Sequence, residues 1–318
     1  VLDRIVGQKT AARYLAAVVS GRLTRPLILH GPEGTGRRTG AVFTTRTLLC
    51  TGDRTYACAC LNCEQIRQDV HPDVVQVRAG EKDIGVEAVR EVLASLLDYP
   101  SQGAFRVVIL EGVDRLTPAA AGALLKTLEE PPPFARFFLL AHDIHAVIPT
   151  IRSRCGEVFF LPLPLAFVQS VLSQHEPDTD KALVISRLSE GSVGRALQFW
   201  GGGKLVLRDK ILSLLQAASR RDLQATFSLV DSLERDIDLG CHFLDLLLHD
   251  LLMLPTCPDR CLNQDRLGDL RELGPKGPRR GWDSLRVMLR GMAADRRATK
   301  IQVPFHLKSI FAEAFLGG

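Results

Sequence analysis

Residues 31–36 read Gly31-Pro32-Glu33-Gly34-Thr35-Gly36 and follow directly on the apolar run Leu27-Ile28-Leu29-His30. A glycine-rich turn between a buried strand and a helix aims backbone N–H groups and the positive helix end at an anion. The chemistry it suits is phosphate binding. In a working loop of this kind the next residues are Lys, which reaches the β- and γ-phosphates, and Ser or Thr, which holds Mg²⁺. Here they are Arg37 and Arg38, and the first hydroxyl comes one place late, at Thr39. Arg37 keeps a positive charge but not a compact ammonium, and Arg38 replaces a metal ligand with a cation. The candidate nucleotide-contacting set is Gly31, Gly34, Gly36, Arg37, Arg38 and Thr39. It leaves passive nucleotide binding open and is unsuited to hydrolysis.

A second position has lost chemistry in the same way. A nucleotide motor ends its second working strand with two acids, one for Mg²⁺ and one to polarise the attacking water. Here Val107-Val108-Ile109-Leu110 runs into Glu111-Gly112-Val113-Asp114. Glu111 can stand in for the first acid, whereas Gly112 has no side chain to act as a base. Asp114, two residues on, is the alternative base.

Four of the eight cysteines, Cys50, Cys58, Cys60 and Cys63, crowd into one short segment. Four soft thiolates suit tetrahedral zinc, and a closed four-thiolate site is structural rather than catalytic. The bland alternative is a loop of free thiols. Cys155, Cys241, Cys257 and Cys261 are dispersed, and the last three with His242 and His249 are a weaker candidate set for a second metal. Ser153-Arg154-Cys155, taken alone, reads as surface.

The elements that must position these residues follow from periodicity. Strands are expected at 27–30, 74–78, 106–110, 137–141 and 157–161, separated by helical patterns such as Val86, Val89, Leu93, Leu96 and Leu97. Short continuous apolar strands alternating with helices predict a parallel sheet covered on both faces. Pro162 and Pro164 mark a boundary, a helical stretch runs to Gly201-Gly202-Gly203 as a hinge, and only helical periodicity follows. Gly274 to Gly281 reads as an exposed loop. The 318 residues carry a net charge of +4, 46% hydrophobic and 24% charged residues, values of a soluble multidomain protein. No membrane-length apolar run or secretory leader is present, so a cytoplasmic location is expected. Nucleic-acid contact is allowed by this charge but not demanded.

Further motifs join these. They are Ile5-Val6-Gly7-Gln8, His71-Pro72-Asp73 after the cysteines, and Gly85-Val86-Glu87-Ala88-Val89-Arg90. They continue with Ala123-Leu124-Leu125-Lys126-Thr127-Leu128-Glu129-Glu130-Pro131-Pro132 and Gly191-Ser192-Val193-Gly194-Arg195-Ala196-Leu197. With the glycine loop, the cysteines and Ser153-Arg154-Cys155, the chain resembles the bacterial DNA polymerase III clamp-loader family, within the AAA+ ATPases. The resemblance implies an AAA+ P-loop domain at 1–163 with a parallel sheet and a zinc insertion at about 50–63. A small helical lid at 164–203 and an all-α collar at 204–318 would follow. It places the chain with the non-hydrolysing subunit rather than the gamma/tau motors, because Ala141-His142-Asp143 and Gly194 stand where the motors carry sensor residues. Arg154 would then be an arginine finger acting in trans on a neighbour's ATP site. The implied partners are the gamma/tau motors and the delta subunit in a five-membered ring, with the sliding clamp and primed DNA reached through the complex. The implied metal is one structural zinc, although the family's usual Cys-x-x-Cys spacing is one residue short between Cys58 and Cys60. Lys126 is either a DNA-phosphate contact or solvated charge. The competing readings are an active motor-type ATPase using Arg37, Thr39 and Glu111, and a degenerate zinc-containing DNA-binding module.

Overall fold

A computed structural model describes residues 5, 7–55, 57–80, 83–175, 178–201, 203–233, 236–278, 281–298 and 303–316. The apolar runs form strands β1 (Leu27–His30), β2 (Val74–Arg78), β3 (Arg106–Glu111), β4 (Ala135–Ala141) and β5 (Gly156–Phe159). They pair in the order β2-β3-β4-β1-β5, and every pairing is parallel. Successive side chains point to opposite faces, so continuous apolar strands require cover on both sides. On one face Val108, Leu110, Phe137 and Leu139 pack with Val89 and Val92 of α4 (Val86–Ser95) and Leu124 of α5 (Pro118–Glu129). On the other, Val107, Ile109 and Phe138 pack with Leu15 of α1 (Lys9–Val19), Ala41 of α2 (Arg37–Leu49) and Ile66 of α3 (Leu61–Arg67). A short helix, α6 (Pro149–Arg152), leads from β4 toward β5.

Three strands differ from their sequence-based limits, β3 only by running one residue further, to Glu111. β4 begins two residues earlier than expected because Arg136 is buried inside it, its guanidinium 4.3 Å from the centre of the Phe105 ring. β5 ends at Phe159 rather than 161, because the Leu161 N–H is taken by the Gln8 side chain at 3.0 Å and Pro162 follows.

The chain divides into two compact units, Val1–Val168 with Gly191–Arg195, and Gln169–Glu190 with Ala196–Gly318. The remaining helices are α7 (Leu165–Leu172), α8 (Thr179–Leu188), α9 (Val193–Gly201), α10 (Leu205–Ser219), α11 (Leu223–Asp231), α12 (Ile237–Met253), α13 (Leu267–Leu273), α14 (Gly281–Ala298) and α15 (Val303–Leu316). Gly202 of the expected hinge and Arg279 and Arg280 of the expected loop lie outside the described residues; Gly274–Lys276 of that loop forms one 3₁₀ turn. In the second unit α10, α11, α12, α14 and α15 pack on one another around Ile211, Leu215, Phe243, Leu247 and Phe311. Polar ties fix their register. Arg208 forks onto Asp265 at 2.9 and 2.7 Å, while neighbouring Arg266 forks onto Asp209 at 3.0 Å on both oxygens. Asp245 of α12 receives Arg286 at 2.8 Å and Arg290 at 3.0 Å, both from α14. Among the described residues no helix is long and apolar enough to cross a membrane.

Candidate functional site

The glycine loop folds between β1 and α2 as its sequence demands. Gly31, Gly34 and Gly36 have φ of 137°, 72° and 98°, a region that side chains strain against, and Gly36 caps α2. The loop is wedged from two sides. Gln8 donates to the Thr35 carbonyl at 3.2 Å and the Leu161 carbonyl at 2.7 Å. The Gly194 N–H donates to the Gly34 carbonyl at 3.1 Å, and a Cβ on Gly194 would lie 2.8 Å from Gly34 Cα. Position 194 therefore presses backbone on backbone and offers the loop no side chain.

The two arginines that follow the loop are held by protein groups. Arg37 is buried and donates to the Ala141 carbonyl at the end of β4, with Nη2 3.0 Å from His142 Nδ1. Burial lowers the Arg37 guanidinium from its ordinary range. Burial and then Arg37 lower His142, so its imidazole is neutral and free to accept at Nδ1. Arg38 lies 3.3 Å from Asp69, 3.3 Å from Gln76 and 3.6 Å from Glu111. The cation beside Glu111 is thus a guanidinium. Thr39 is exposed and lines a groove with Val42, Phe43 and Ile66.

The acid positions are equally altered. Gly112 has φ 93°, and a Cβ there would meet the Ala79 Cβ at 2.6 Å, so no carboxylate fits. Asp114 uses Oδ2 to accept the His142 and Asp143 N–H groups at 3.0 and 3.2 Å. That ties the loop after β4, while Oδ1 is buried without a partner among the described residues.

The cysteine segment starts where α2 ends. Cys50 caps that helix, Cys60 caps α3, and Cys63 lies in the first turn of α3. All four sulfurs lie within 4.8 Å of one another, with Cys50 to Cys58 at 3.5 Å and to Cys60 at 3.8 Å. A tetrahedral zinc with Zn–S bonds of about 2.3 Å places its sulfurs roughly 3.8 Å apart. The set could hold a zinc ion, and the shortened spacing keeps neither Cys58 nor Cys60 away from the others. Burial and the Cys60 and Cys50 sulfurs push the Cys63 thiol up to about 12. Cys60 is pulled down to about 5 against its burial by the Cys63 backbone N–H and by Thr51. Cys241, Cys257 and Cys261 form no such group among the described residues, and Cys261 instead faces the Asp250 carbonyl at 3.7 Å. Nearby, Asp73 accepts the backbone N–H groups of Ser101, Gln102 and Gly103 at 2.6, 2.7 and 2.9 Å, an anchor for the loop before β3.

Arg154 follows α6. Its Nε and Nη2 donate to one oxygen of Glu129 at 3.1 and 2.9 Å, and Nη1 donates to the Thr150 carbonyl at 3.0 Å. Sequence reasoning missed Glu129 as a partner. Its only signal was membership of the Leu-Glu-Glu-Pro-Pro run.

The chain matches a family model described as "DNA polymerase III, delta subunit" over residues 7–164. It is 33% identical over 208 residues to "DNA polymerase III subunit delta'" of Escherichia coli (strain K12), covering 64% of this chain and 62% of that protein. The match thus spans less than two thirds of that relative. It is 30% identical over 269 residues to the protein of the same name from Yersinia pestis, covering 80% of this chain and 78% of that one. The fold resembles that of a DNA polymerase III gamma subunit-related protein from Thermotoga maritima, with a TM-score of 0.53 and 18% identity over 95% of this chain and 97% of that one.

Proposed function

The chain belongs to the delta-prime family of bacterial DNA polymerase III clamp-loader subunits, and from that premise we propose that it is a stator that hydrolyses no ATP itself. One observation carries the reading: the guanidinium of Arg38 stands beside Glu111 where a motor needs Mg²⁺, while Gly112 has no room for a base. Phosphoryl transfer to water needs both a metal to neutralise developing charge and a group to orient the water. Arg38 and Gly112 supply neither. Gly31, Gly34, Gly36, Arg37, Arg38 and Thr39 then serve as a framework that passes the strand into α2.

In this reading the chain acts on its neighbours. Arg154 enters the ATP site of an adjacent gamma/tau motor and stabilises charge on the transferring phosphoryl group, an action worth most in a site that excludes water. The sheet domain at 1–163, a lid at 164–203 and a collar at 204–318 divide the work, the collar joining the motors and the delta subunit in a five-membered ring. The ring loads the sliding clamp onto primed DNA in the cytoplasm. Cys50, Cys58, Cys60 and Cys63 would hold one zinc, whose role with four thiolates and no open position is to fix the segment.

The test is ATP turnover by the isolated chain. Background phosphate release, unchanged by Arg37→Ala, is the expected result. Turnover that Arg37→Ala abolishes would overturn the stator reading in favour of a motor.

A further inference from the structure

We infer that Glu129 is a positioning residue for Arg154, fixing the guanidinium in the attitude in which it meets a phosphoryl group; the inference rests on the finger reading of Arg154. The contact is a fork onto a single carboxylate oxygen, at 3.1 Å from Nε and 2.9 Å from Nη2, with the third nitrogen held by the Thr150 carbonyl at 3.0 Å. Two separate elements, the end of α5 and the α6 turn, therefore grip one side chain. A guanidinium has five N–H donors. Three are engaged at 3.1 Å or less, and Nη1 also reaches Ser153 Oγ at 3.5 Å. One remains for an incoming anion, on a side chain that is 30% exposed. Arg154 can thus take up a phosphate oxygen without first leaving Glu129.

The place of Glu129 supports a dedicated role. It is the last residue of α5, where the unpaired carbonyls make a carboxylate unfavourable. Its side chain is 61% exposed, and an ion pair so open to water contributes little to folding. An acid that helps neither its helix nor the core has orientation of Arg154 as its remaining effect. Catalysis is sensitive to displacements of about 1 Å, so a loosened finger lowers the chemical step without altering ATP affinity.

The experiment uses the complete clamp-loader complex reconstituted with motor subunits, carrying the chain as wild type, Arg154→Ala, Glu129→Gln, Glu129→Asp or the Arg154→Ala/Glu129→Gln double variant. Glu129→Gln is expected to lower kcat for ATP by about 3- to 10-fold with KM unchanged, and Glu129→Asp to recover part of that loss. The double variant is expected to match Arg154→Ala alone, because Glu129 acts only through Arg154. Thermal unfolding of the isolated chain should not move with Glu129→Gln. If Arg154→Ala lowers kcat and Glu129→Gln does not, the positioning role is refuted while the finger survives. Additive losses, or a rise in KM alone, also refute it. If Arg154→Ala itself changes nothing, the finger reading fails and this inference goes with it.

Discussion

In the proposed reading, Arg38 and Gly112 close a chemical route from two directions. One adds a fixed charge beside Glu111; the other leaves no space for a carboxylate beside Ala79. Restoring the loop alone, with Arg37→Lys and Arg38→Thr together, is therefore expected to leave phosphate release at background in a turnover assay. Release well above background would mean that some other group orients the water. Gly194 makes a second residue-scale prediction. A Cβ 2.8 Å from the Gly34 backbone has no flexible neighbour to displace, so Gly194→Ala should destabilise the chain by about 1–3 kcal/mol. Gly201→Ala, at a helical position with nothing within 4 Å, should be neutral or slightly stabilising. Urea unfolding of the two variants beside wild type decides it, and equal midpoints would contradict the packing argument.

At the scale of elements, most strands were legible because burial on both faces leaves an unbroken apolar signature. The exceptions have physical reasons. Arg136 hid the start of β4, since a buried cation over an aromatic ring looks like surface in a sequence. Gln8 shortened β5 by capturing a backbone N–H from 153 residues away. In the site, the altered loop, Gly112 and the cysteines could be read from residue type and spacing. The Gly194–Gly34 contact and the Glu129–Arg154 fork could not, because both join segments distant in sequence. The cysteine segment carries its own prediction. Sulfurs already gathered within 4.8 Å of one another should take up about one zinc per folded chain, measured by elemental analysis, and Cys63→Ser should lower that content. A metal-free wild-type chain with these sulfurs reactive to a thiol reagent would remove the zinc proposal.

At the scale of the molecule, the helical unit is fastened by ion pairs as well as by its core, and this gives it a pH signature. Burial raises the Asp245 carboxyl, yet Arg286 and Arg290 outweigh it and hold the group at about 2. A depressed carboxylate stabilises above its unfolded pKa, so the contribution is complete above roughly pH 4 and is lost as pH falls toward 2. Because Arg290 is largely exposed, the effect is set at about 1–2 kcal/mol. Asp245→Asn should be less stable than wild type by that amount at pH 6, and the difference should shrink as pH falls from 4 toward 2. A gap at pH 2 as large as that at pH 6 would show that Asp245 acts by packing rather than by charge.

The helix α2 gives the glycine loop a reason to exist apart from any nucleotide. It runs the 13 residues from Arg37 to Leu49, about 20 Å, with the left-handed Gly36 at one end and the first sulfur, Cys50, at the other. The same turn sets the direction of a rod whose tip arrives among three other thiols. A loop in that position is a registration mark. Its glycines would be held in place by the far end of the helix, with nothing bound at the near end.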